Sequence, residues 1–217
     1  MNETIFKNNS KNLEYDLVLI SPVCGDYNLA PLMLDVFEAA SKETSLNVGY
    51  LVVEMSRNPE HSRFCKKNNI DYIYISVDED DEFNQKECIK EAVGSKISAD
   101  RYCILNTRGF YYKDSFKLLE GHLQSENLFF SSRKFLCNFE LTIGLIKGDV
   151  KPGDIDDSVY GIEQVDTGED YFKSFTLISP IKTQIEKALS SEEDFFKSIF
   201  DSCEVVGKFD TYEFNIE

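Results

Sequence analysis

At 217 residues the chain is long enough for one domain with a sizeable core, and 42% hydrophobic against 29% charged residues is the balance of a soluble globular protein. Lysine and arginine number 23 against 39 aspartate and glutamate, a net charge of −16 that repels polyanions and argues against nucleic acid as a partner. No apolar run reaches the length of about 18 that a membrane span requires, and the first residues lack the apolar centre of a signal peptide, so a cytoplasmic location is expected.

Residues 1–14 are polar and read as a loosely held lead-in. Asp16 to Val23 (DLVLISPV) is a near-continuous apolar run, the mark of a strand buried on both faces, and Cys24-Gly25-Asp26 makes the turn after it. From Asn28 to Ser41 the apolar residues Leu29, Leu32, Met33, Val36, Phe37 and Ala40 recur at helical spacing. A second buried strand follows over Val48–Glu54, a short helix over Pro59–Asn68 and a third strand over Tyr72–Val77. This alternation implies an α/β fold: a parallel sheet with right-handed crossovers. The acidic run Asp78–Glu82 reads as a solvated loop ahead of a helix N-terminus.

That next helix has Asn84 as its cap and Glu87 three residues on, in a capping-box-like start. Cys88, Ile89, Ala92, Val93 and Ile97 form its apolar face. Ala99-Asp100 ends the pattern, and Tyr102–Leu105 reads as a short buried strand that runs into the polar triplet Asn106-Thr107-Arg108. Downstream the expectations are a helix over Ser115–Gln124 and a long alternating strand over Phe135–Leu145. A loop over Gly148–Asp157, a short strand over Phe175–Ile178, one amphipathic helix over Ile181–Phe200 and a terminal strand over Cys203–Phe214 complete the chain. The six cysteines stand singly with no C-x-x-C and read as buried free thiols, while His61 and His122 read as surface residues.

The capped helix from Asn84, the strand Tyr102–Leu105 and its polar end, together with Gly168-Glu169-Asp170 further on, resemble a nucleotide-sugar glycosyltransferase of the GT-A fold. The flavour is that of family 2 and of the galactosyltransferase and polypeptide N-acetylgalactosaminyltransferase group. The chain departs from that pattern at two places. The helical Asn-x-Gly falls near Glu91 and Val93, and Asn106-Thr107-Arg108 stands where the group carries Asp-x-Asp.

The resemblance implies an α/β, Rossmann-like, mostly parallel sheet flanked by helices with a mixed acceptor-side half. It implies one domain over 1–217: a nucleotide-binding half over 15–112, an acceptor-side half over 113–180 and a closing helix and strand over 181–217. A uridine diphosphate sugar is the implied donor and a carbohydrate or other hydroxyl the acceptor, with polysaccharide synthesis as the usual setting. The implied donor-binding residues are Pro22, Val23, Gly25, Asp26, Glu54, Asn84, Asn106 and Thr107.

Two carboxylates at the triplet would hold Mg²⁺ or Mn²⁺; Asn and Thr are poor replacements and Arg108 repels a cation, so no metal or other cofactor is expected. Arg108 is itself a good diphosphate partner, with a planar fork of donors, which points to metal-independent transfer. Asp170 is the expected general base of an inverting reaction, with Glu169 binding the acceptor. The triplet leaves loss of catalysis and an ordinary surface Arg108 open. An inactive binding or assembly module is therefore the first alternative and a nucleotidyltransferase the second. Asp154, Asp156 and Asp157 offer a fallback site for Mn²⁺ or Mg²⁺, but they lack the Gly and terminal Glu of a calcium loop and read as a solvated loop.

Overall fold

The structure, a computed structural model, describes residues 3–6, 13–24, 30–78, 82–105, 109–111, 116–121, 123, 125–151, 163–166 and 177–214. Residues Leu17 to Ile20 show why a strand forms where it does. Leu17 and Leu19 face one apolar cluster, Val18 and Ile20 the other, and all four are fully buried. Burying each such side chain contributes about 1.5–3 kcal/mol. They lie in β2 (Leu13–Val23), which follows β1 (Glu3–Ile5) and leads through α1 (Ala30–Glu43) to β3 (Val48–Ser56), then α2 (Ser62–Lys67) and β4 (Asp71–Ser76). The chain continues through α3 (Gln85–Gly94), β5 (Ile97–Leu105), β6 (Gly109–Tyr111), α4 (Lys117–Glu120), β7 (Leu128–Cys137), α5 (Phe139–Lys147) and β8 (Glu163–Asp166). It ends with β9 (Leu177–Ser179), α6 (Lys182–Leu189), α7 (Phe195–Asp201) and β10 (Val205–Phe214).

The strands form one sheet in the order β1-β4-β3-β2-β5-β9-β7-β10-β6, with β8 paired to β7. Strands β4, β3, β2 and β5 pair in parallel, as do β7 and β10. Strand β9 runs antiparallel between β5 and β7, and β1, β6 and β8 are antiparallel additions. Residues of α1, α2, α4 and α5 pack into the cluster on one face, and those of α3, α6 and α7 into the cluster on the other. The α/β expectation, a mostly parallel sheet with a mixed second half, is therefore what the chain adopts. Among the described residues no helix is long and apolar enough to cross a membrane.

Four local expectations need correction. The lead-in is partly structured: Glu3–Ile5 pairs with Tyr72–Tyr74 along the sheet edge, and Leu13 and Glu14 already belong to β2. Ile97 opens β5 instead of closing α3, which stops at Gly94 with Ser95 extended. The alternating run Phe135–Leu145 breaks at Asn138, whose side chain accepts from Leu141 N at 2.8 Å and starts α5. Leu141 and Leu145 satisfy periods 2 and 3.6 equally, since four residues separate them; Gly148, at φ 77°, closes the helix in the left-handed region. The long C-terminal helix is two helices: α6 ends at Leu189, and Asp194 restarts the chain as α7 by accepting from Lys197 N at 2.9 Å.

Candidate functional site

Parallel strands present their carboxyl ends together, and here β2, β3, β4, β5 and β7 finish along one edge of the sheet. Chain order reverses between β2 and β5. Strand β2 hands on through α1 to β3 on one side, while β5 arrives on its other side from β4 through α3, across the opposite face. Such a reversal leaves a crevice outside the strand ends, because the two connections diverge from it. The described residues at these strand ends are Pro22 and Val23, both buried, half-buried Cys24, and buried Leu105. Asn84 stands near the carboxyl end of β3: its backbone N lies 3.4 Å from Met55 Sδ, and its side-chain oxygen accepts from Glu87 N at 3.2 Å. The cap expected at Asn84 is present. Gly25, Asp26, Asn106, Thr107, Arg108, Glu169 and Asp170 lie outside the described residues, as do His122 and Asp154–Asp157.

Glu54, expected to accept ribose hydroxyls, is turned inward and has no exposed surface. Its Oε1 accepts from Ser56 Oγ and Glu60 N, both at 3.0 Å, and its Oε2 from His61 N at 3.0 Å and Tyr72 Oη at 2.6 Å. Three of these donors are its own, while the single Ser56 proton is shared with Asn58 O at 2.7 Å; with no exposed surface the carboxylate does not face a ribose. The burial of His61 corrects a second expectation: the ring is 5% exposed, with Nδ1 3.3 Å from Glu54 Oε1. Burial alone would raise the Glu54 carboxyl, but the donors from His61 and Tyr72 outweigh it and hold the group below the usual carboxylate range. The same burial, reinforced by that carboxylate, drives the Tyr72 phenol well up and the Cys65 thiol to about 12.

Arg101 is the polar residue that the sequence reading missed. It is wholly buried in β5 and donates to the carbonyls of Ser179, Ser125 and Asn127, the last at 3.1 Å. Burial pulls its guanidinium down to about 10, still charged at neutral pH. With Gln184 Nε2 donating to Glu126 O, it fastens the 125–127 segment to the strands and to α6. A cleft of about 440 Å³, lined by Glu126, Asn127, Thr183, Gln184, Lys187 and Cys203 among others, opens beside this junction. Among the described residues no group of three or more His, Cys, Asp or Glu is placed to hold a metal.

No protein-family model and no curated protein sequence matches the chain. Solved structures do. Glucosyl-3-phosphoglycerate synthase from Mycobacterium tuberculosis, in complex with Mn²⁺, uridine diphosphate and glucosyl-3-phosphoglycerate, is similar over 94% of this chain and 73% of its own, at TM-score 0.51 and 9% identity. A 4-diphosphocytidyl-2C-methyl-D-erythritol synthase is similar over 90% of this chain and 89% of its own, at TM-score 0.52 and 10% identity. The fold is GT-A-like. Identity near one in ten carries the architecture alone, and a fold of this kind hosts several chemistries. The reversal point of this sheet lies between β2 and β5.

Proposed function

We propose that this chain binds a nucleoside diphosphate sugar at the carboxyl edge of β2 and β5 and transfers the sugar to a hydroxyl acceptor with inversion. The observation that carries the reading is the reversal of strand order between these two strands, which the sequence follows with Gly25-Asp26 on one side and Asn106-Thr107-Arg108 on the other. The likeness to a synthase solved with uridine diphosphate supports a uridine nucleotide as donor. In this reading the acceptor oxygen attacks the anomeric carbon as Asp170 takes its proton. The bond to the diphosphate breaks with its electron pair, and Arg108 meets the charge that develops there. Glu169 orients the acceptor, and Pro22, Val23, Gly25, Asp26, Asn84, Asn106 and Thr107 shape the donor pocket. Glu54 drops out of that set because it is wholly buried and turned onto Glu60 N, His61 N and Tyr72 Oη. A cytoplasmic enzyme of polysaccharide synthesis is the setting that fits.

Nucleotidyl transfer is the second reading, favoured by one observation. The likeness to the diphosphocytidyl synthase runs over about nine-tenths of both chains, 90% and 89%.

Thermal-shift titration with uridine, guanosine and cytidine diphosphates and cytidine triphosphate, each with and without Mn²⁺, separates the readings. Stabilisation by uridine diphosphate without metal, abolished in Arg108→Ala, is the expected result. Turnover of a donor that survives Asp170→Asn would remove the proposed base. Selective stabilisation by cytidine triphosphate moves the assignment to nucleotidyl transfer, and silence with every nucleotide moves it to a binding module.

A further inference from the structure

The turn that leaves β3 is held far more firmly than an exposed loop requires. Glu54 receives the backbone N–H groups of Glu60 and His61, and the Ser56 hydroxyl shares its one proton between Asn58 O at 2.7 Å and Glu54 Oε1 at 3.0 Å. Two tyrosines one pleat apart on β4 complete the anchoring: Tyr72 Oη donates to Glu54 and Tyr74 Oη to the carbonyl of Arg57 at 2.7 Å. Both phenols are buried, and Glu54 is wholly so. At the outer corner of this turn stands Arg57, exposed, at the carboxyl end of the strand next to β2 and so beside the crevice. Its described neighbours along that edge include the exposed acids Glu60, Asp78 and Glu82. A cation carried on an anchored turn within an acidic rim draws an anionic ligand to one place and disfavours its approach elsewhere.

We propose that Glu54 and Tyr74 are positioning residues which anchor the turn carrying Arg57 beside the crevice, so that its guanidinium pairs with the phosphates of the bound nucleotide. The proposal rests on the nucleotide-binding reading above. It gives Glu54 a part in donor binding through the turn it shapes instead of through direct contact. Holding the backbone that carries Arg57 lowers the ordering cost of the turn when the guanidinium bonds phosphate, which is the benefit of a preorganised site.

The test compares uridine diphosphate and uridine binding by calorimetry to the full chain and to Arg57→Ala, Tyr74→Phe, the double variant and Glu54→Gln. Arg57→Ala weakens uridine diphosphate by about tenfold, as loss of a charge-assisted pair does, and leaves uridine unchanged. Tyr74→Phe, which removes one hydroxyl and keeps the ring, weakens uridine diphosphate to a smaller degree. The double variant is no weaker than Arg57→Ala alone, since the hydroxyl acts only through the guanidinium. Glu54→Gln behaves as Tyr74→Phe does, and if it fails to fold the Tyr74 cycle still decides. Additive losses in the double variant, or equal weakening of uridine and its diphosphate in Arg57→Ala, overturn the proposal. A wild-type chain that binds uridine diphosphate while Arg57→Ala binds it equally well overturns this proposal alone. A wild-type chain that binds no nucleoside diphosphate overturns the function reading as well.

Discussion

Tyr72 Oη lies 2.6 Å from Glu54 Oε2, a phenol on one strand donating to a wholly buried carboxylate on the next. Removing the hydroxyl leaves the carboxylate one donor short in a buried place. Tyr72→Phe is expected to cost about 1–3 kcal/mol in urea unfolding. The pH dependence follows from the same bond. Glu54 has its folded pKa depressed, so its stabilising contribution is full above the unfolded value of about 4.3 and is lost as pH falls through the folded one. Unfolding free energy therefore falls with pH in that acid range for the wild type, and the slope is shallower in Tyr72→Phe. Equal slopes would mean that the hydroxyl does not hold the carboxylate down.

The Tyr15 ring lies directly over Gly49. A Cβ added at Gly49 would sit 2.7 to 2.9 Å from three ring carbons, and Tyr15 Oη reaches Asp71 Oδ2 at 3.4 Å, so the ring is tethered at its far end. Gly49→Ala is expected to destabilise by about 1–3 kcal/mol, the usual range for overpacking. In Tyr15→Ala the obstacle is gone, and adding Gly49→Ala then changes the melting temperature little. Simple additivity of the two changes would show that the ring is not what the methyl meets.

Arg101 donates to four backbone carbonyls, one from β9 and three from Leu123, Ser125 and Asn127 in the segment before β7. Arg101→Met keeps the bulk and strands these acceptors in a buried place. A loss of about 3 kcal/mol or more is expected, with raised amide exchange in 125–127 and β9. Arg101→Lys rescues little, because an ammonium has no planar fork to reach several carbonyls at once. Full rescue by lysine would reduce the role to charge.

All six cysteines are free, yet they differ in access: Cys65, Cys88, Cys103 and Cys137 are buried, Cys24 and Cys203 half-buried. Burial pushes the Cys65 and Cys88 thiols to about 12 and Cys103 further up, so they carry almost no thiolate at neutral pH. Alkylation of the native chain followed by mass spectrometry should label Cys24 and Cys203 first, with the others appearing only as denaturant is added. Early labelling of Cys88 would contradict the packing of α3 on the sheet.

Much of this architecture is visible in the order of the residues. Asp16–Val23 and Val48–Glu54 are apolar without alternation because each is covered on both faces, and that alone requires helices above and below a parallel sheet. Asn84 announces α3 because a cap acts within one turn, so its partner Glu87 is close in sequence. Asn138 does the same for α5, although the alternation of Phe135 to Leu145 hides it.

Local residue order sets which stretches are buried and which turns begin helices, since both depend on neighbours a few residues away. Tertiary structure alone decided the fate of the polar groups. Glu54 meets Tyr72 from the adjacent strand, and Arg101 meets carbonyls more than twenty residues on and nearly eighty residues on. A buried charge takes its donors and acceptors from whatever the sheet register sets beside it, and register is a property of the assembled strands.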